Sequence, residues 1–74
     1  MNETSTKTLT EREYEVIKYV AQGLTNKEIA EILTVTHHTV KAHIASIIRK
    51  LDARNRVDIA IFAQKKGYFS PHQD

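Results

Sequence analysis

Apolar side chains recur along this chain at intervals of three and four, the spacing that lines one face of a helix. The clearest run is residues 36–51, THHTVKAHIASIIRKL. At about 100° per residue, Val40, Ile44, Ile47, Ile48 and Leu51 share one side, while His38, Ala42, Ala45 and Arg49 share the other. Upstream, Tyr14, Ile17, Val20 and Ala21, with Val16 beside them, predict a helix from about Glu11 to Gln22. Ile29, Ala30, Ile32 and Leu33 predict a buried stripe on a second helix over residues 26–33. Downstream, Ile59, Phe62 and Ala63 mark the core side of a fourth helix. The expectation is an all-α, four-helix domain over residues 9–67, with a polar tail without periodicity at 1–8 and a tail at 68–74 whose first aromatics can pack back.

The helix starts repeat one device. Leu9-Thr10-Glu11-Arg12-Glu13-Tyr14, Leu24-Thr25-Asn26-Lys27-Glu28-Ile29 and Val35-Thr36-His37-His38-Thr39-Val40 each place a threonine N-cap between two apolar residues that can staple the entry. The first two are capping boxes closed by Glu13 and Glu28. The third has Thr39 where a carboxylate would stabilise the helix by about 0.3–1 kcal/mol but repel an approaching phosphate. Asn55, with Asp58 three residues on, starts the fourth helix, and Gly23 and Gly67 end the first and last. Asp52, tolerant of left-handed backbone, closes the third. Only Thr34 and Val35 separate the second helix from the Thr36 cap. That short link predicts a helix-turn-helix at the centre of the domain, formed by helices 2 and 3.

Composition narrows the function. Seventy-four residues make one small domain, poorly suited to a deep catalytic pocket. With no cysteine, neither a disulfide nor a thiolate metal site exists. No apolar run approaches membrane length and no signal-peptide core follows Met1, so a soluble, cytoplasmic protein is expected. The net charge of +2 hides an asymmetry. Residues 1–24 set three cations against four anions for a net of −1, residues 25–56 six against three for +3, and residues 57–74 balance. The positive charge gathers around the third helix.

The outer face of that helix departs from an ordinary solvated one. Ala42, Ala45 and Ser46 form its centre, with Lys41, Arg49 and Lys50 at its edges. Small groups allow close approach of the backbone, and flanking cations suit an acidic surface. This is what a helix needs in the roughly 12 Å major groove of DNA, where small side chains meet base edges and cations meet phosphates. A surface helix using alanine only for its propensity is the plain alternative. On the fourth helix, Val57, Ala60, Ile61 and Gln64 form a second stripe opposite the core side. A domain this small has no core left for it, so a second copy is expected there, in a two-fold dimer.

With these segments placed, the chain resembles the DNA-binding domain of the LuxR/FixJ/NarL class of bacterial transcription regulators. The resemblance rests on Leu9-Thr10, Arg12-Glu13, Glu15-Val16, Gly23-Leu24, Asn26-Lys27-Glu28-Ile29-Ala30, Leu33, Thr39-Val40-Lys41, His43-Ile44, Lys50-Leu51 and Asn55-Arg56. It implies a four-helix domain that binds double-stranded DNA as a dimer through helix 4. By resemblance, Lys41, Ala42 and Ala45 read bases, while Lys27, Thr39 and His43 lie at or near the phosphate backbone. Thr36 stands where the family often has Ser, Asp52 where it usually has Gly, and His37 where it usually has Glu. The last change makes this helix start less acidic. The candidate DNA contacts are therefore Lys27, Thr36, His38, Thr39, Lys41, Ala42, His43, Ala45 and Arg49.

Other features carry less. His37 and His38 point about 100° apart and no cysteine or carboxylate completes a tetrahedral set with His43, so no metal is expected. Arg56 is expected to tie its loop to helix 1 through Glu13 or Glu15. Glu11, Glu13, Glu15, Glu28 and Glu31 are expected to be caps and solvated positions. No nucleophile–base pair, glycine-rich phosphate loop or carboxylate pair appears, so neither enzyme activity, a cofactor nor a small-molecule ligand is expected. The competing function is a helical interaction module gripping another regulator or RNA polymerase, with little DNA binding of its own. RNA polymerase is also a partner expected of an activator. Met1 and a short polar tail suit a stand-alone regulator, and an excised C-terminal domain of a response regulator remains open.

Overall fold

The computed structural model describes residues 9–67. Among them are four α-helices and no strand: α1 Glu11–Ala21, α2 Asn26–Leu33, α3 His37–Leu51 and α4 Arg56–Lys66. The tails expected at 1–8 and 68–74 lie outside the described residues. Helix α1 ends one residue short of the predicted Gln22, which serves as its C-cap.

Each start follows its sequence. Thr10 Oγ1 accepts the Glu13 amide and the Glu13 carboxylate accepts the Thr10 amide, both at 3.0 Å. Thr25 and Glu28 repeat the exchange at 3.1 and 2.8 Å. At α3, Thr36 Oγ1 accepts the Thr39 amide at 3.1 Å, and the two threonine hydroxyls pair at 3.0 Å. Asn55 Oδ1 accepts the Asp58 amide at 3.1 Å. These caps satisfy amides that have no partner within their own helix.

The ends use left-handed backbone. Gly23 has φ +89°, and the Leu24 amide beyond it bonds Tyr19 O at 3.1 Å. Two non-glycine residues adopt the same region, Asp52 at φ 57° and Thr34 at φ 58°. The Val35 amide then bonds Ala30 O at 3.0 Å, closing α2 and turning the chain directly into the Thr36 cap. A β-branched residue meets a steric penalty there, borne because so few residues link α2 to α3.

The core takes Leu9, then Val16, Ile17 and Val20 from α1, Ile29 and Ala30 from α2, Val40, Ile44 and Ile47 from α3, and Ile59 and Ala63 from α4. Helix α1 packs on both α3 and α4, and α2 packs on α3. Tyr14, Ala21, Leu33, Ile48, Leu51 and Phe62, expected on core faces, are half-buried at its rim.

Two expectations about burial fail. Ile32, predicted to be buried, is 51% exposed. On α2 the inward arc runs from Ile29 through Leu33 to Ala30, and Ile32 falls about 60° outside it on the far side of Ile29. Glu13, predicted at a solvated cap, is 4% exposed. It occupies the first position of the stripe Glu13-Val16-Ile17-Val20, so the rotation of α1 that buries the three aliphatic residues buries the carboxylate too.

Candidate nucleic-acid interface

The core stripe of α3 fixes what its other side shows. With Val40, Ile44 and Ile47 buried, Lys41, Ala42, Ala45 and Arg49 are exposed, as is His38 near the helix start. Two alanines thus form a low centre between cations. Thr36 is exposed as the cap, and Thr39 in the first turn and His43 one turn further on are half-buried. Lys27 is exposed at the second residue of α2. The first turn of α3 carries no acidic residue and its last turn carries Arg49 and Lys50.

Ser46 and Lys50 do not belong to this face, contrary to the pattern-based expectation. Ser46 Oγ donates to Glu13 Oε2 and Lys50 Nζ to Glu13 Oε1, each at 2.9 Å. Both residues lie about 100° around the helix from Ala45 and Arg49, which turns them toward α1. Burial pushes the Glu13 carboxyl up, but the hydrogen bonds from Lys50, the Thr10 amide and Ser46, with the Lys50 charge, outweigh it and hold the group below its ordinary range. Periodicity could have exposed Glu13 as the polar member of a buried stripe. Only tertiary contact identifies its partners, 33 and 37 positions away.

Arg56 also departs from expectation. Its guanidinium donates to Asn26 Oδ1 at 2.5 Å and to the Leu24 carbonyl, not to Glu13 or Glu15. As the first residue of α4 it faces the start of α2. Glu13 is already satisfied, and Glu15 pairs loosely with Arg12 at 3.7 Å on the surface. The bridge fixes the α2 start, including Lys27, against α4. Arg54 instead donates from its backbone amide and Nε to Asp58 Oδ2, at 2.9 and 3.1 Å. That contact holds the Asp58 carboxyl below its ordinary range.

On α4, Val57 is 64% and Ile61 44% exposed, one turn apart, with Ala60 half-buried and Gln64 exposed beside them. The predicted second stripe is therefore open to solvent in the isolated chain. Among the described residues no three His, Asp or Glu side chains gather as a metal would require, and no helix is long and apolar enough to cross a membrane.

Residues 7–63 match the GerE family, described as bacterial regulatory proteins, luxR family. The chain belongs to the luxR family. It is 50% identical over 60 residues to the nitrate/nitrite response regulator protein NarP of Escherichia coli, covering 80% of this chain and 28% of NarP. It is 51% identical over 59 residues to the transcriptional regulatory protein LnrK of Bacillus subtilis, covering 80% of this chain and 27% of LnrK. The Bacillus subtilis regulator LiaR matches at 47% over 57 residues, covering 77% of this chain and 27% of LiaR. The match thus spans under a third of each relative's length. These relatives bear the names of regulators, not of enzymes. The four helices are a luxR-type helix-turn-helix DNA-binding domain of a transcription regulator, with α2 and α3 as the helix-turn-helix pair.

Proposed function

We propose that this luxR-type domain binds specific double-stranded DNA sequences by laying α3 in the major groove, with α2 crossing the backbone. The observation that carries this is the outward stripe Lys41-Ala42-Ala45-Arg49, low in the middle and cationic at the edges, directly opposite a fully buried Val40-Ile47 side. Lys41 donates to guanine acceptors, and Ala42 and Ala45 offer methyl groups to thymine methyls. Thr36, His38, Thr39, His43 and Arg49 lie along phosphates, and Lys27 holds the α2 start on the backbone. The absence of a carboxylate from the first turn of α3 keeps that end compatible with phosphate.

Two copies join through Val57, Ala60, Ile61 and Gln64 of α4 in a two-fold dimer, each α3 reading one half-site. The exposure of Val57 and Ile61 supports this arrangement. The domain works in the bacterial cytoplasm, on nucleoid DNA, and at promoters it meets RNA polymerase.

Binding titrations test the assignment. Lys41→Ala should cost about 1–3 kcal/mol and relax preference at one base pair. Lys27→Ala should weaken all duplexes alike and flatten the salt dependence of affinity by about 0.9 in slope. Two variants that bind as the parent does would remove α3 from the groove. Partner-protein binding without any salt-sensitive DNA binding would instead favour an interaction module.

A further inference from the structure

Apolar packing sets which side of α3 turns inward, and a directional contact refines its rotation. Val40, Ile44 and Ile47 specify which side turns inward, but contact between aliphatic groups is non-directional and tolerates small rotations about the helix axis. Glu13 supplies direction. Its Oε2 accepts from Ser46 Oγ, and its Oε1 accepts from Lys50 Nζ and from the Thr10 amide. Ser46 and Lys50 are one turn apart, so two points along α3 are held by one carboxylate. Glu13 is itself immobilised by the α1 capping box and by burial, so it cannot follow α3 if that helix turns.

We propose that Glu13 is a positioning residue for base readout, its carboxylate fixing the rotation of α3 so that Lys41, Ala42 and Ala45, not the Lys50 flank, meet the base edges. The inference rests on the groove reading above. Base discrimination depends on the angle at which short side chains address the groove, whereas phosphate attraction tolerates small rotations. A loosened clamp should therefore lower specificity before affinity. The clamp also commits Lys50 to Glu13, so Lys50 is not counted among the phosphate contacts.

The test uses the 74-residue chain and two duplexes, one that the parent chain selects from a random-sequence library and one of unrelated sequence. Glu13→Gln should lower the ratio of the two affinities roughly tenfold or more, the cost of about one mismatched base pair, without weakening binding to the unrelated duplex. Ser46→Ala, which spares the charge pair, should move the ratio the same way by less. Glu11→Gln, removing an exposed carboxylate from the same turn, controls for net charge and should leave the selected sequence unchanged. Lys50→Met should keep the parent's salt slope on the selected duplex. Circular dichroism establishes that each variant is folded at the assay temperature, and if Glu13→Gln is not, Ser46→Ala decides. An unchanged ratio in the folded Glu13→Gln and Ser46→Ala chains, or a slope reduced by about 0.9 in Lys50→Met, overturns the proposal and leaves the groove reading intact. A parent chain that selects no sequence overturns both.

Discussion

Glu13 combines three contacts that ordinarily belong to different residues: a helix cap, a buried ion pair and a hydrogen bond to a neighbouring helix. A buried carboxylate is costly unless its oxygens are satisfied, and breaking one partner leaves the other charge uncompensated. Its native carboxyl lies below its value of 4.5 in an unstructured chain. The ionised group therefore stabilises the fold fully above that value. As pH falls through it toward the lower native value, the unfolded chain takes up the proton first and this contribution is lost. Denaturant titrations should show stability falling below about pH 4.5, with that component missing in Glu13→Gln. Thr34 is the second residue under special demand. Its left-handed backbone, φ 58°, is better tolerated by asparagine. Thr34→Asn should raise stability by about 1 kcal/mol, the low end of the cost of a non-glycine residue in this region, read as a higher denaturation midpoint at unchanged slope.

On the proposed groove reading, helix α3 has to remain stable and still admit a phosphate at its start. α1 and α2 close their caps with Glu13 and Glu28. α3 uses a hydroxyl pair, Thr36 with Thr39, and forgoes the carboxylate. Thr39→Glu should complete the capping box and stabilise the free domain by about 0.3–1 kcal/mol. The same substitution should weaken binding to every duplex, because on the proposed reading the new charge would stand beside the phosphates. Thermal melts and binding titrations on one preparation would show the two effects moving in opposite directions. A variant that is more stable and binds equally well would place the start of α3 away from the backbone. The caps, the short α2 and the amphipathic α3 were all legible in the sequence, because each depends on residues within one or two turns. Ile32 was not. Its exposure depends on how much of an eight-residue helix α3 covers.

At the scale of the whole molecule, α4 has one side committed to α1 and the core through Ile59 and Ala63, and another open through Val57 and Ile61. An exposed aliphatic pair one turn apart contributes little to an isolated domain. Ile61→Lys should therefore leave monomer stability within about 0.5 kcal/mol. Sedimentation should show self-association lost, and affinity for a site with two half-sites should fall toward that for one. Retained self-association would move the interface off α4. Arg56 belongs to this scale as well. It joins the first residue of α4 to Leu24 and Asn26, so the start of α2 is held relative to the face that would meet the second copy.

The sequence by itself determined the four helices, their caps and the division of α3 into a buried and an outward side, because helical period and capping are local. It also carried the family resemblance, through short motifs spread over residues 9–56. Only the tertiary structure decided where the polar and charged residues of the rim go. Ser46 and Lys50 turn to Glu13, Arg56 turns to Asn26, and Arg54 remains with Asp58. Long polar side chains reach several neighbours, and the choice among them depends on helix rotation and crossing. Those are set by all four helices packing together, which no single stretch of chain encodes.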